Sequence, residues 1–176
     1  MTDAVKECLA ILDQAIKFEE TGMAFFEERA EASASPLERN LFKSLAKDEL
    51  GHKQYLLKIR DEMLEENDLE AMTLAEGAHS SERQVFESAM TTAQDPYDFQ
   101  SEQLEIIKGA MEVERNGYTM YTKAVASVQS QRAKDIFQAL AREEQHHYSL
   151  LKNTYDYMAD PEGWHGFDES PMLDGG

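Results

Sequence analysis

The chain carries the segment LFKSLAKDELGHKQYL at residues 41–56 and a second version of it, IFQALAREEQHHYSLL, at residues 136–151. The two versions are offset by 95 positions and align without a gap. The same offset places IKFEETGMAFFEERA, residues 16–30, on MEVERNGYTMYTKAV, residues 111–125. Similarity at one fixed offset indicates an internal duplication, so we interpret the chain as two copies of one structural unit.

Each copy, residues 3–63 and 98–158, is predicted to form two helices. Residues that recur at alternating spacings of three and four mark the inward face of a helix, because that rhythm keeps them on one side. In chain order, the inward residues of the four helices are Leu12, Ile16, Glu19, Met23, Phe26 and Ala30; Phe42, Leu45, Glu49, His52, Leu56, Ile59 and Met63; Ile107, Met111, Glu114, Tyr118, Tyr121 and Val125; and Phe137, Leu140, Glu144, His147, Leu151 and Met158.

Capping residues mark three of the helix starts. Ser35, Pro36 and Glu38 predict the start of helix 2, with a hydroxyl cap, a proline in the first turn and a glutamate that reaches back to the cap. Asp98 is the predicted cap of helix 3, and Ser130 that of helix 4.

The connections between the predicted helices differ in length. Short links near Ser33 and Val128 make each pair of helices an antiparallel hairpin. The interval 67–97 is long enough to return along the whole bundle, since a helix of about 30 residues is roughly 45 Å long and an extended residue covers ~3.3 Å. A short helical piece at 82–90 is expected on this crossover.

The sequence therefore predicts an all-α fold, a ferritin-like four-helix bundle over residues 1–158 with one long crossover between helices 2 and 3. Residues 159–176 are predicted to form a C-terminal tail, which is rich in Gly and Pro and offers no fifth helix.

Six of the inward positions are polar, and these decide the functional prediction. Buried carboxylates without a partner cost several kcal/mol each. Two divalent ions would balance four carboxylates and leave two histidines as neutral nitrogen ligands. One carboxylate from each of two helices plus one Glu-x-x-His from each of the other two is the ligand set of ferritin-like dinuclear sites. We predict two iron ions, replaceable by manganese or zinc, bound by Glu19, Glu49, His52, Glu114, Glu144 and His147.

Neighbouring acidic and imidazole groups are predicted to lie outside the site. Glu20 falls on the solvent side of its helix. Glu143 and His146 form an alternative Glu-x-x-His, but their equivalents in the first unit are Asp48 and Gly51. A glycine has no side chain with which to bind a metal, so this register is disfavoured.

Composition excludes several other classes of function. The chain has 35 acidic and 17 basic residues and a formal charge of -18, which disfavours nucleic acids and anionic membranes as partners. Its one cysteine, Cys8, excludes an intrachain disulfide and a four-thiolate metal site built by this chain. No apolar run approaches the ~20 residues of a membrane span and the start resembles no signal peptide, so we expect a soluble, cytoplasmic protein.

The two Glu-x-x-Gly segments that begin at Glu19 and Glu114, together with the two Glu-x-x-His segments, resemble the rubrerythrin branch of the ferritin-like family over residues 3–158. The stretch 160–164 also resembles the segment that follows the bundle in single-domain members. The resemblance implies that Glu49 and Glu144 bridge the two metals. It further implies two sets of terminal ligands, Glu19 with His52 and Glu114 with His147.

The sequence departs from the rubrerythrin pattern in two ways. Full-length members carry a rubredoxin-like domain with iron bound by four cysteines, which this sequence lacks, so electrons are expected from an external donor such as a rubredoxin-like protein. Many members also have an additional glutamate on helix 3, one turn after the ligand, where this chain has Gly117.

The resemblance implies a di-iron oxidoreductase that reduces hydrogen peroxide, or less readily dioxygen, and protects the cell from oxidants. Tyr118 and Tyr121 are candidates to donate a proton or a hydrogen bond to bound peroxide, and ordinary aromatic packing is the alternative. A ferritin-like iron carrier or sensor without turnover is the second reading of the chain. We also expect a homodimer.

Overall fold

The computed structural model describes residues 2–66 and 99–167, and within these ranges every regular element is a helix. The helices are α1 (Asp3–Ala32), α2 (Pro36–Glu66), α3 (Ser101–Ser127) and α4 (Gln131–Ala159). The all-α, ferritin-like four-helix bundle is confirmed. The predicted crossover at 67–97, with its helical piece at 82–90, lies outside the described residues, and the repeat boundaries stay predictions.

The bundle is assembled from two helical hairpins. α1 packs along α2, α3 packs along α4, and α1 also contacts α3. The hairpins are closed by short turns in which the backbone N–H of Ser33 donates to Arg29 O at 3.0 Å and that of Val128 to Ala124 O at 3.1 Å. The two short links predicted between the helices are confirmed.

Two apolar clusters fill the core, and on each helix an inward carboxylate stands between them. The first cluster includes Leu12, Leu56, Tyr121 and Phe137. The second includes Phe26, Phe42, Ile107 and Leu151. Because full burial of a large apolar side chain contributes about 1.5–3 kcal/mol, the two clusters can offset the cost of the polar layer that they enclose.

The observed helix caps agree with the prediction in part. Ser130 caps α4 by accepting from Ala133 N at 3.3 Å. The prediction of a capping box at the start of α2 is wrong, because Ser35 Oγ is buried without a hydrogen-bond partner. The Glu38 carboxylate instead accepts from Gln103 Nε2 at 3.0 Å.

The start of α3 also differs from the sequence prediction. The helix begins at Ser101 after Gln100 as its N-cap residue, and the backbone N–H of Gln100 donates to Gln103 Oε1 at 2.9 Å. Asp98, the predicted cap, lies outside the described residues.

The inward stripe of α1 and α3 runs through smaller residues than expected. Ile16 and Met23 are half-buried, whereas Ala15 and Gly22 are fully buried. Both choices keep the alternation of three and four, so the pattern alone does not decide between them. Packing decides, because a Cβ on Gly22 would contact Glu49 at 3.7 Å, so the carboxylate side chain fills the space beside the glycine.

Beyond α4, residues 160–167 form a short non-helical segment that folds back on the bundle. Gly163 N donates to Asp160 Oδ1 at 2.9 Å, and the Trp164 ring packs edge-on against Tyr157. Among the described residues, no helix is both long enough and apolar enough to span a membrane.

Candidate metal centre

The six predicted ligands converge in one layer of the bundle. α1 and α3 each contribute one carboxylate, while α2 and α4 each contribute a glutamate and, one turn later, a histidine. Residues three apart on a helix lie on the same side, which is why each Glu-x-x-His points both of its side chains inward. All six are shielded from solvent, and only His52 keeps a side-chain exposure above a tenth, at 14%.

The cluster divides into two groups of four ligand atoms, each within 4.8 Å of one another. Both groups contain Glu49 and Glu144. One group is completed by Glu19 and His52, and the other by Glu114 and His147. Two carboxylates common to two sets of ligands are what a pair of bridged ions needs.

The two histidines point the same nitrogen at the carboxylates. His52 Nδ1 lies 3.4 Å from Glu19 Oε2 and 3.5 Å from Glu49 Oε2. His147 Nδ1 lies 3.4 Å from Glu114 Oε2 and 3.5 Å from Glu49 Oε1. The rings are stacked, with centroids 5.6 Å apart. Nδ1 is therefore the nitrogen that each ring offers to a metal.

The donor set fits a pair of cations. Eight buried ligand atoms have no hydrogen-bond partner in the described protein: Glu19 Oε2, Glu49 Oε2, both carboxylate oxygens of Glu114 and of Glu144, and Nδ1 of His52 and of His147. Buried polar atoms are nearly always hydrogen-bonded, so a cluster of unpaired acceptors needs an explanation. Four carboxylate and two imidazole ligands can hold two divalent ions of the iron, manganese or zinc type.

Without metal, protons supply the missing positive charge. Burial and the nearby Glu49 charge raise the pKa of Glu19 well above its usual 4.5. Burial opposes a raised pKa at His52, but the neighbouring Glu19 and Glu49 carboxylates, which favour the imidazolium, lift the pKa to about 10. The metal-free centre thus retains protons that metal binding must release.

The two candidate tyrosines are placed differently. The Tyr121 ring is fully buried and its hydroxyl donates a hydrogen bond to Glu19 Oε1, directly beside the proposed ligands. Tyr118 is half-buried and packs against the apolar cluster that contains Tyr121. The prediction that Tyr118 faces the interior is correct only in part, because Gly117 takes the fully buried position on that turn of α3.

The neighbouring groups set aside on sequence grounds lie where they were expected. Glu20 is exposed and pairs with Lys53 Nζ at 2.8 Å. His146 is exposed, whereas His147 is 5% exposed. Helix α4 therefore has the register that directs Glu144 and His147 inward. His165 is exposed in the tail.

Sequence reasoning missed one residue of the centre. Asp48 Oδ2 lies 3.8 Å from His147 Nε2, on the side of the ring opposite the carboxylates. At this distance the carboxylate acts through its charge, which favours a proton on Nε2 and leaves Nδ1 free for a metal. The available signal was its position immediately before Glu49, which turns Asp48 toward the next helix of the bundle.

A protein-family model described as Rubrerythrin matches residues 10–155. Comparisons with curated proteins and with solved structures find no match.

Proposed function

This chain belongs to the rubrerythrin family, and from that membership we propose that it is a non-haem di-iron oxidoreductase that reduces hydrogen peroxide, or less readily dioxygen. Reducing one peroxide to two waters takes two electrons and two protons. Two bound iron ions would supply the electrons, and an external donor such as a rubredoxin-like protein would replace them.

The observation that carries this proposal is the pair of ligand groups that share Glu49 and Glu144. A centre that only stabilises the fold needs no second ion beside the first. The shared carboxylates favour two ions held close together, which suits a reaction of two electrons.

The chain's own residues exclude bulk water and retain a proton near the reacting atoms. Burial first, and then the charges of Glu19 and Glu144, raise the pKa of Tyr121 well above 10, so the phenol stays protonated. Its hydroxyl is hydrogen-bonded to Glu19 and sits within the enclosed layer. We propose that it orients Glu19 and holds a proton there.

His52 has the most exposed side chain of the six, so a small oxidant would approach the centre from the side of His52.

Stopped-flow mixing tests this proposal. The protein is loaded anaerobically with ferrous iron and mixed with hydrogen peroxide or with air-saturated buffer. Peroxide should oxidise the centre far faster than air, and sustained turnover should require an added reductase and rubredoxin-like donor. Glu20→Ala, a change of an exposed residue, serves as the matched control for Glu144→Ala, which should abolish the reaction. Equally slow oxidation by both oxidants, with no turnover on any donor, would contradict the proposal.

A carrier or sensor of iron is the second candidate, and Gly117 is the observation that favours it. Many rubrerythrins have a glutamate at this position, and here the Glu144 side chain occupies the space that its Cβ would need. A carrier would bind ferrous iron and release it to a chelator without consuming peroxide. The stopped-flow experiment therefore separates the two candidates.

A further inference from the structure

The two halves of the duplicated centre are not equivalent. In the Glu19 half, one carboxylate oxygen accepts a hydrogen bond from Tyr121. The residue that corresponds to Tyr121 in the other copy of the unit is Phe26, which has no hydroxyl to donate. Both oxygens of Glu114 are accordingly buried without a hydrogen-bond partner.

The histidines differ in the same direction. The side chain of His147 is 7% exposed, and the Asp48 carboxylate lies 3.8 Å behind its Nε2. The side chain of His52 is 14% exposed, so water competes more readily for that half of the centre.

We infer that the position bounded by Glu114 and His147 binds the first divalent ion, and that the position bounded by Glu19 and His52 takes the second ion and exchanges it faster. This inference rests on the ligand set of the proposed function. A carboxylate without any partner gains more from a cation than one that already accepts a hydrogen bond, because its burial is otherwise uncompensated. Asp48 adds to this preference, because its negative charge 3.8 Å from His147 Nε2 favours a proton on that nitrogen and so leaves Nδ1 free to bind the ion.

The test uses cobalt(II), which binds such ligands without turning over peroxide. Metal-free protein is titrated with Co²⁺, and crystals grown with one equivalent are measured by anomalous diffraction at the cobalt edge. We expect two binding steps whose dissociation constants differ by roughly tenfold, the size of effect that outer partners of metal ligands have. The first ion should lie beside Glu114 and His147.

Two variants should reduce the difference between the two dissociation constants, one by strengthening the second step and the other by weakening the first. Tyr121→Phe removes the hydrogen bond to Glu19, makes that half like the other, and should strengthen the second step. Asp48→Asn should weaken the first step. Asp13→Asn, a change of an exposed carboxylate that pairs with Arg60 at 3.5 Å, is the control and should alter neither.

Equal occupancy of the two positions at one equivalent, or filling of the Glu19 position first, would overturn the inference. An unchanged ratio of the two dissociation constants in Tyr121→Phe would also overturn it. None of these outcomes touches the proposed function, which instead fails in the stopped-flow experiment with iron.

Discussion

A Cβ atom on Gly117 would lie 2.5 Å from Oε2 of Glu144, closer than real Cβ atoms approach an oxygen. The same atom would lie 2.9 Å from Cε1 of Phe18. Glu144 is fully buried, so its carboxylate cannot move into solvent to make room. At the equivalent position in the first unit, a Cβ on Gly22 would meet Glu49 at an ordinary contact distance of 3.7 Å.

We therefore predict that Gly117→Ala displaces the Glu144 carboxylate and lowers the metal content, whereas Gly22→Ala leaves it unchanged. Both changes replace a helical glycine by alanine, and this replacement by itself stabilises the helix by about 1 kcal/mol. Gly22→Ala should raise the Tm of the metal-free protein by this helix stabilisation. In Gly117→Ala the clash with Glu144 should cancel the stabilisation. Equal metal content in the two variants would contradict this prediction.

Gly117 also shows what could and could not be predicted from the sequence. From the sequence alone it is a glycine where many rubrerythrins have a glutamate, so the resemblance supports peroxidase activity less strongly. The structure adds a physical reason for the glycine that the spacing of residues along the chain does not give. The residue is small because a side chain from the adjacent helix α4 occupies the space beside it.

The helices and the convergence of the six ligand side chains could be predicted because both follow from spacing along one chain. Contacts between elements could not be predicted in this way. The sequence predicts that Glu38 caps the helix start three residues away, yet its carboxylate accepts from Gln103, 65 residues further on. Asp48 lies outside the inward stripe of α2, so only the packing of α4 against α2 reveals its proximity to His147.

The shared carboxylates are the most informative sites for mutation. Glu49→Ala or Glu144→Ala should lose both ions, because each glutamate belongs to both ligand groups. Glu19→Ala should weaken mainly one position. The measurement is iron per chain after anaerobic loading, and wild-type protein should hold two ions.

The controls for those changes test the register of α4. Glu20→Ala, Glu143→Ala and His146→Ala should each keep both ions, since Glu20 and His146 are exposed and the half-buried Glu143 belongs to neither ligand group. Loss of metal in His146→Ala but not in His147→Ala would show that the ligands of α4 are assigned one residue out of place.

The hydrogen bond between Glu38 and Gln103 joins the two hairpins away from the metal centre. Glu38 is 3% exposed and accepts from Gln103 Nε2 at 3.0 Å. We predict that Glu38→Ala lowers the free energy of unfolding by about 1–3 kcal/mol, because it removes the acceptor and leaves a small void. For a chain of this size each kcal/mol corresponds to about 2–4 °C in Tm.

A double-mutant cycle with Gln103→Ala should show that the two changes are not additive, since they remove the same hydrogen bond. Glu105→Ala is the matched surface control. It breaks only an exposed pair with Lys108, and such pairs contribute little. Additive losses at Glu38 and Gln103 would mean that the bond contributes nothing of its own.

The stability of the metal-free protein should depend on pH through the six ligand groups. Five of the six ligand groups have a pKa raised in the folded state: Glu19, Glu114, Glu144, His52 and His147. A group with a raised pKa holds its proton more tightly when folded, so its contribution to stability is present at low pH and is lost as the pH rises through the folded value. Glu49 has a lowered pKa and acts in the opposite sense, but its contribution is lost only in acid, below the usual 4.5.

Between pH 6.5 and about 10, the usual and the folded pKa of His52, the metal-free protein should therefore become less stable. Each extra proton held by the folded state changes the unfolding free energy by about 1.4 kcal/mol per pH unit. Metal replaces these protons, and its affinity rises with pH because the ligands must be deprotonated. Thermal unfolding followed by circular dichroism should thus show a metal-free Tm that falls across this range and a difference between loaded and metal-free protein that widens. A metal-free Tm that stays constant or rises over the same range would mean that the five groups with a raised pKa do not retain protons in the folded state.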